Sequence, residues 1–282
     1  MNSFNLNRFC KTFHWFFSMN LRSLLMWTGG FTVTIFLAGM MVFFFNPNNP
    51  KAALGLVSTF DIIFIFIGLF ASVSSFLSDY DKKPKREAFL MVPASNLEKY
   101  LSAVIYAVTV FTFALFLSVV LGDTLRMVFR SLVYGDEWLS AVPQVMRGVI
   151  PNIMLKGETP HVYSLSFEVM NFVVGFSLIL WLHSLYTLGG TLFRKYAFVA
   201  TSVVMIACAM LLSWIINHLG VSMFTSHWDG DKYVSQEVGF FAYVLAIVLP
   251  LLSIFNYWAS FHIFKGFQLI TNKWTNYDIL KR

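Results

Sequence analysis

Six long apolar runs leave this chain few ways to fold. They span about Leu24–Phe45, Leu56–Leu77, Leu101–Leu121, Phe167–Thr191, Ala197–Asn217 and Phe240–Phe264. Crossing roughly 30 Å of hydrocarbon takes about 20 residues of helix, and each run is long enough. They are apolar on all sides and lack the short alternating segments of a membrane barrel. Charged residues make up 12% of the chain, against about 25% in soluble domains. The expected fold is all-α and polytopic, with six transmembrane helices in a single transmembrane domain over residues 1–282.

Lys and Arg then set the orientation. One set of connections carries Arg8, Lys11 and Arg22, the five residues Lys82, Lys83, Lys85, Arg86 and Lys99, then Arg194, Lys195, Lys265, Lys273, Lys281 and Arg282. The other carries only Lys51, Arg126, Arg130, Arg147, Lys156 and Lys232. The imbalance of 14 to 6 places both termini, and the tail over residues 265–282, in the cytoplasm. The net charge of +6 follows from this asymmetry, so no nucleic-acid surface is implied.

The first twenty residues lack the small-residue cleavage site of a signal peptide. Leu6, Phe9, Cys10, Phe13, Phe16 and Phe17 fall at helical spacing, opposite Asn7, Arg8, Lys11 and His14. That pattern predicts an interfacial helix over residues 1–20, lying flat and turning into the first span. Cys10 and Cys208 stand too far apart in topology to pair.

The loops differ in kind. Between the second and third spans, basic residues precede the apolar Phe89-Leu90-Met91-Val92, Pro93 breaks the chain, and Ser95 with Glu98 reads as a capping box. A short amphipathic element here suits a grip on a soluble partner. Between the third and fourth spans, Leu125, Val128, Phe129 and Leu132 form one helical face, and Trp138, Leu139, Val142, Val145, Met146 and Val149 form another. These predict outer amphipathic helices that lie on the leaflet or cap the bundle. The connection over residues 218–239 reads as a plain loop.

Signatures of chemistry are missing. The sequence has no GxxxxGK[ST] phosphate loop, HExxH, GxSxG or CxxC, so neither enzyme activity nor a bound metal is expected. His183 reads as a packed, hydrogen-bonded residue. Asp61 and Glu168 are the only carboxylates inside the apolar runs. Both are expected near the outer face, half-solvated; if functional, they would line a substrate path with Asn171. Gly68, Ala71, Ser72 and Ser75 fall at i, i+3, i+4 and i+7, a small-residue face that lets a helix approach closely.

The segment EAFLMVPASNLEKYL, Glu87 to Leu101, resembles the stretch leading into the third span in permease subunits of bacterial type-2 ATP-binding-cassette exporters. The hairpin LYTLGGTLFRKYAF, Leu185 to Phe198, is similar to their connection between the fourth and fifth spans. That family often places small re-entrant helices between spans five and six, whereas the larger outer insertion here lies between three and four. The resemblance implies a multi-pass protein of the bacterial inner membrane that binds no cofactor of its own. ATP and Mg would belong to a separate cytoplasmic ATPase subunit, and a second permease copy or a relative would complete the path. A coupling helix between spans two and three would dock on the ATPase, with Phe89 and Leu90 as anchors and Lys85, Arg86 and Glu87 as the polar rim. Two other classes fit the same layout, a stand-alone secondary transporter and a membrane assembly subunit without a transport role.

Overall fold

The computed structural model describes residues 4–46, 49–78, 87–89, 91–135, 137–149, 165–193, 196–220, 224–229 and 232–266. They form two compact units, residues 1–72 with 92–150 and residues 73–91 with 151–282.

In the first unit the first apolar run is the C-terminal half of one helix, α1 (Leu6–Phe45), 40 residues long. At 1.5 Å per residue it measures about 60 Å, twice the hydrocarbon thickness. Asn5 caps its start, the side chain accepting from the backbone N–H groups of Asn7 and Arg8 at 3.0 and 3.3 Å. The interfacial helix expected over residues 1–20 is therefore corrected. It is amphipathic as read, but no residue before Leu24 breaks the backbone ladder, so it continues into the span without a turn.

Helix α2 is Pro50–Ser78. The third span is built from α3 (Asn96–Ile105), a π turn (Tyr106–Val110) and α4 (Phe111–Tyr134), stacked end to end as 39 residues. Ser95 and Glu98 form the capping box read from the sequence. Gly135 ends α4 in the left-handed region (φ 70°), its N–H donating to Ser131 O at 3.2 Å, a conformation that glycine adopts without steric cost.

α1 and α3–α4 lie side by side and run the same way. Arg8 meets Glu98 at one end, Ser118 Oγ donates to Thr28 O midway (3.1 Å), and Arg130 lies over the Phe43 ring (4.3 Å) at the other. Gly122 permits the approach: a Cβ there would sit 2.7 Å from Ile35 Cγ2 and 3.0 Å from the Thr32 carbonyl oxygen. On α2, a Cβ at Gly68 would sit 2.7 Å from Leu115 Cδ2 and 3.3 Å from the Phe31 ring. Ser72 is buried, with its hydroxyl on Leu69 O at 2.7 Å, and Ala71 is half-buried. Gly68 of the small-residue face thus serves packing within the subunit; Ser75 lies outside the described side chains.

Helix α5 (Val142–Val149) is the outer helix that sequence periodicity predicts. It does not lie on a leaflet. Val145 is buried in one cluster with Ile35, Ile65 and Val119, one residue each from α1, α2 and α4, so α5 re-enters to the depth of the spans. The other expected outer helix is corrected, because Leu125, Val128, Phe129 and Leu132 belong to the last turns of α4. With no helix breaker before Gly135, the third span runs on.

The second unit holds α6 (Leu165–Leu192), α7 (Ala197–Leu219) and α8 (Phe240–Lys265). α6 and α8 are also parallel, with Ser184 beside Asn256 and Thr191 beside Ser260. α7 meets α6 through Tyr186, whose ring stacks on Phe198 at 5.4 Å and whose hydroxyl lies 2.9 Å from Ser202 Oγ. Residues 218–239 are not a plain loop: β1 (Phe224–Asp229) and β2 (Lys232–Val238) form an antiparallel hairpin, with a register shift between His227 and Trp228. The Asp229-Gly230 pair between Trp228 and Tyr233 is the hairpin signal the sequence holds. Helix dominates, and among the described residues six helices are long and apolar enough to cross a membrane. The chain is an all-α multi-pass membrane protein with one small hairpin.

Candidate functional site

Two places in the first unit concentrate buried charge. The first is the joint where α3 begins. Glu98 is fully buried, and its carboxylate accepts from Arg8 Nη2 (2.7 Å) and Nε (3.1 and 3.2 Å), from Asn5 N (2.7 Å) and from Ser95 N (2.8 Å). Ser95 Oγ returns a bond by accepting from Glu98 N at 3.3 Å. One carboxylate thus caps its own helix and binds the start of α1, ninety residues away in sequence. The capping box was legible from its spacing; the link to Arg8 was not, because a local motif carries no information on a partner that distant.

The coupling residues of the sequence reading are only partly placed. Lys85, Arg86 and Leu90 lie outside the described residues. Glu87 is half-buried. Phe89 is corrected as an exposed anchor: it is 2% exposed, its ring edge-on to Phe264 of α8 at 5.5 Å. An aromatic this close to a second apolar helix is covered by its own chain. Met91, 82% exposed, is the large apolar side chain of this segment that faces outward among the described residues.

The second place is the seat of α5. Asp123 and Arg126 pair at 2.5 Å, and both side chains are buried. Asp123 Oδ2 also accepts from Ser140 Oγ (2.7 Å) and Ala141 N (3.0 Å), and Arg126 Nη2 donates to Leu139 O (2.7 Å). These bonds hold the strand of chain entering α5. Across the seat, Ser58 Oγ of α2 donates to Gln144 Oε1 of α5 at 3.3 Å. Beside the pair, a cleft of about 200 Å³ is lined by Phe43, Arg126, Arg130 and Glu137.

Asp61 belongs to this seat. The expectation that Asp61 is half-solvated is corrected: Asp61 is 1% exposed, three turns into α2, and within electrostatic range of Asp123 and Arg126. Its helix starts six residues earlier than the apolar run suggested, and α5 covers the face it projects from. Its Oδ2 accepts no hydrogen bond among the described residues. Glu168, half-buried in the first turn of α6, and Asn171, exposed, belong to the second unit. Asp123 and Arg126 escaped sequence reading because they fall in what looked like a loop beyond the third span. Their i, i+3 spacing is the signal that could have found them.

The second unit carries a polar seam rather than a site. His183 Nδ1 and Tyr257 Oη are 2.6 Å apart, Asn256 Nδ2 donates to Ser184 Oγ (3.0 Å), and Thr191 Oγ1 donates to Ser260 Oγ (3.2 Å). His183 is packed and hydrogen-bonded, as its lone position implied. No group of three or more His, Cys, Asp or Glu that could hold a metal ion occurs among the described residues. Comparison with protein-family models, curated proteins and solved structures finds no match to this chain.

Proposed function

We propose that this chain is the membrane-spanning subunit of an ATP-binding-cassette-type exporter, coupled to a separate ATPase at the cytoplasmic end of α1 and α3. The observation that carries the reading is the Glu98 joint. A membrane subunit driven by a soluble motor needs a stiff point where the docking segment enters the spans. Here the segment before α3 runs directly into a buried carboxylate that grips both α1 and α3. The load then enters two parallel helices of about 60 Å. The resemblance of Glu87–Leu101 to such permeases supports the same assignment, as does the absence of a phosphate-binding loop in this sequence.

Two measurements test it. Met91→Glu is expected to weaken association with the ATPase subunit by about tenfold or more, a loss of roughly 1.4 kcal/mol, at unchanged abundance in the membrane. Phe89→Ala instead lowers abundance, because its ring packs within the chain. Transport by this polypeptide purified alone would overturn the reading. For orientation, cysteines at Ser95 and Glu137, in a background lacking Cys10 and Cys208, mark opposite ends of the third span. An impermeant reagent added to cells is expected to label position 137 and spare 95; the reverse pattern would invert the topology.

One observation favours a second reading, an ion-coupled carrier acting alone. Asp61, Asp123 and Arg126 are buried together within the spans of the first unit, where such carriers keep their coupling groups. Flux that persists without any ATPase but follows an ion gradient would select it.

A further inference from the structure

The seat of α5 buries more acid than base. Asp123 and Arg126 neutralise each other, which leaves the Asp61 carboxylate over. It is enclosed, and one of its oxygens is without a donor. From α4, Asp123 and Arg126 face it. α1 contributes Ile35 and Gly39 to this level, and α5 contributes Gln144 and Val145, none of them titratable; Arg147 of α5 is exposed. An unbalanced charge so enclosed demands a counter-charge.

We propose that this cluster binds one monovalent cation, a proton or an alkali metal ion, at the Asp61 carboxylate, and that occupancy keeps α5 seated. The two sources share one chemistry, a single positive charge of small radius. With the site filled, Arg126 is left to Asp123, and Asp123 keeps its bonds to Ser140 and Ala141 at the start of α5. With the site empty, Asp61 competes for Arg126 and repels Asp123, so the anchor of α5 loosens. The ligand therefore controls whether the re-entrant helix closes its end of the unit. This goes beyond the exporter reading and does not depend on it.

The test uses the full chain, purified in detergent without a partner, with Val145→Cys as probe and both native cysteines replaced. Val145 is 1% exposed, so its thiol reports unseating of α5. In alkaline buffer free of alkali metal ions, labelling is expected to rise at least about fivefold, the low end of couplings between two sites. Acid alone suppresses it if the cation is a proton; sodium chloride at fixed pH, with choline chloride as the ionic-strength control, suppresses it if the cation is a metal ion. Asp61→Asn, with the shape of the neutral acid, stays protected in every buffer. Asp61→Leu, which also removes the charge and suits an apolar span, serves if the first variant does not insert. Labelling that stays flat across both series in the Val145→Cys chain overturns the proposal, as does an undiminished response in the Asp61 variant. Because no ATPase is present, failure of this proposal leaves the exporter assignment standing.

Discussion

Replacing Asp123 by alanine is expected to destabilise the first unit by about 3–5 kcal/mol, the cost of stranding one partner of a buried ion pair. Arg126, 2% exposed, would keep the Leu139 carbonyl but lose the carboxylate hydrogen-bonded to it. The Ser140 hydroxyl and the Ala141 N–H would lose their acceptor together, and with them the start of α5 comes free. Thermal unfolding of the purified protein measures the loss. The double replacement Asp123→Leu with Arg126→Met is expected to cost less than the single one, because Arg126 is no longer left behind without the carboxylate it pairs with. A single variant within about 1 kcal/mol of the native protein would mean that water reaches Arg126 and that the seat is not closed.

Glu98→Ala is the second large effect, at about 2–4 kcal/mol from a lost helix cap and lost charge-assisted hydrogen bonds. The figure stays below that for Asp123 because the Arg8 side chain is 27% exposed and can turn to water. What solvent does not replace is geometry. The backbone N–H groups of Asn5 and Ser95 both end on this carboxylate, so the first turn of α1 separates from the start of α3. Proteolysis of the first twenty residues should accelerate while the spans stay inserted. Glu98→Gln, which keeps an acceptor oxygen, should fall between. Unchanged proteolysis in Glu98→Ala would remove the stiff joint on which the coupling argument rests.

Much of the architecture was legible because hydrocarbon is an undemanding reader of sequence: a run of about 20 apolar residues has few alternatives. Ser95 and Glu98 were legible because a capping box is local, and Val142 and Val145 because periodicity is local too. The errors share the opposite cause. Leu125 to Leu132 read as a separate outer helix because Asp123 and Arg126 interrupt the apolar pattern; their pairing lets the helix run on. Phe89 read as an exposed anchor because nothing near it in the chain announces Phe264. Asp61 read as half-solvated because the helix that covers it follows eighty residues later. The hairpin over residues 224–238 was missed for a different reason: its Asp229-Gly230 signal is local and stood in a connection read as a plain loop.

The parallel pairing within each unit bears on the order in which the protein can be made. The first unit draws on residues 1–72 and 92–150, so every group that Asp123 and Glu98 require has left the ribosome by mid-chain. The second is arranged otherwise. His183, Ser184, Thr187 and Thr191 emerge on α6 with their partners Tyr257, Asn256 and Ser260 still unsynthesised, on the last helix. α7, threaded between them in sequence, meets α6 through the Tyr186–Ser202 contact. During synthesis α6 must therefore wait with the His183 imidazole turned toward lipid or toward the insertion machinery, while its Ser184, Thr187 and Thr191 hydroxyls bond back to carbonyls of their own helix. A chain stopped before Phe240 would leave the cell a finished first half joined to a helix that quality control can recognise as unpaired.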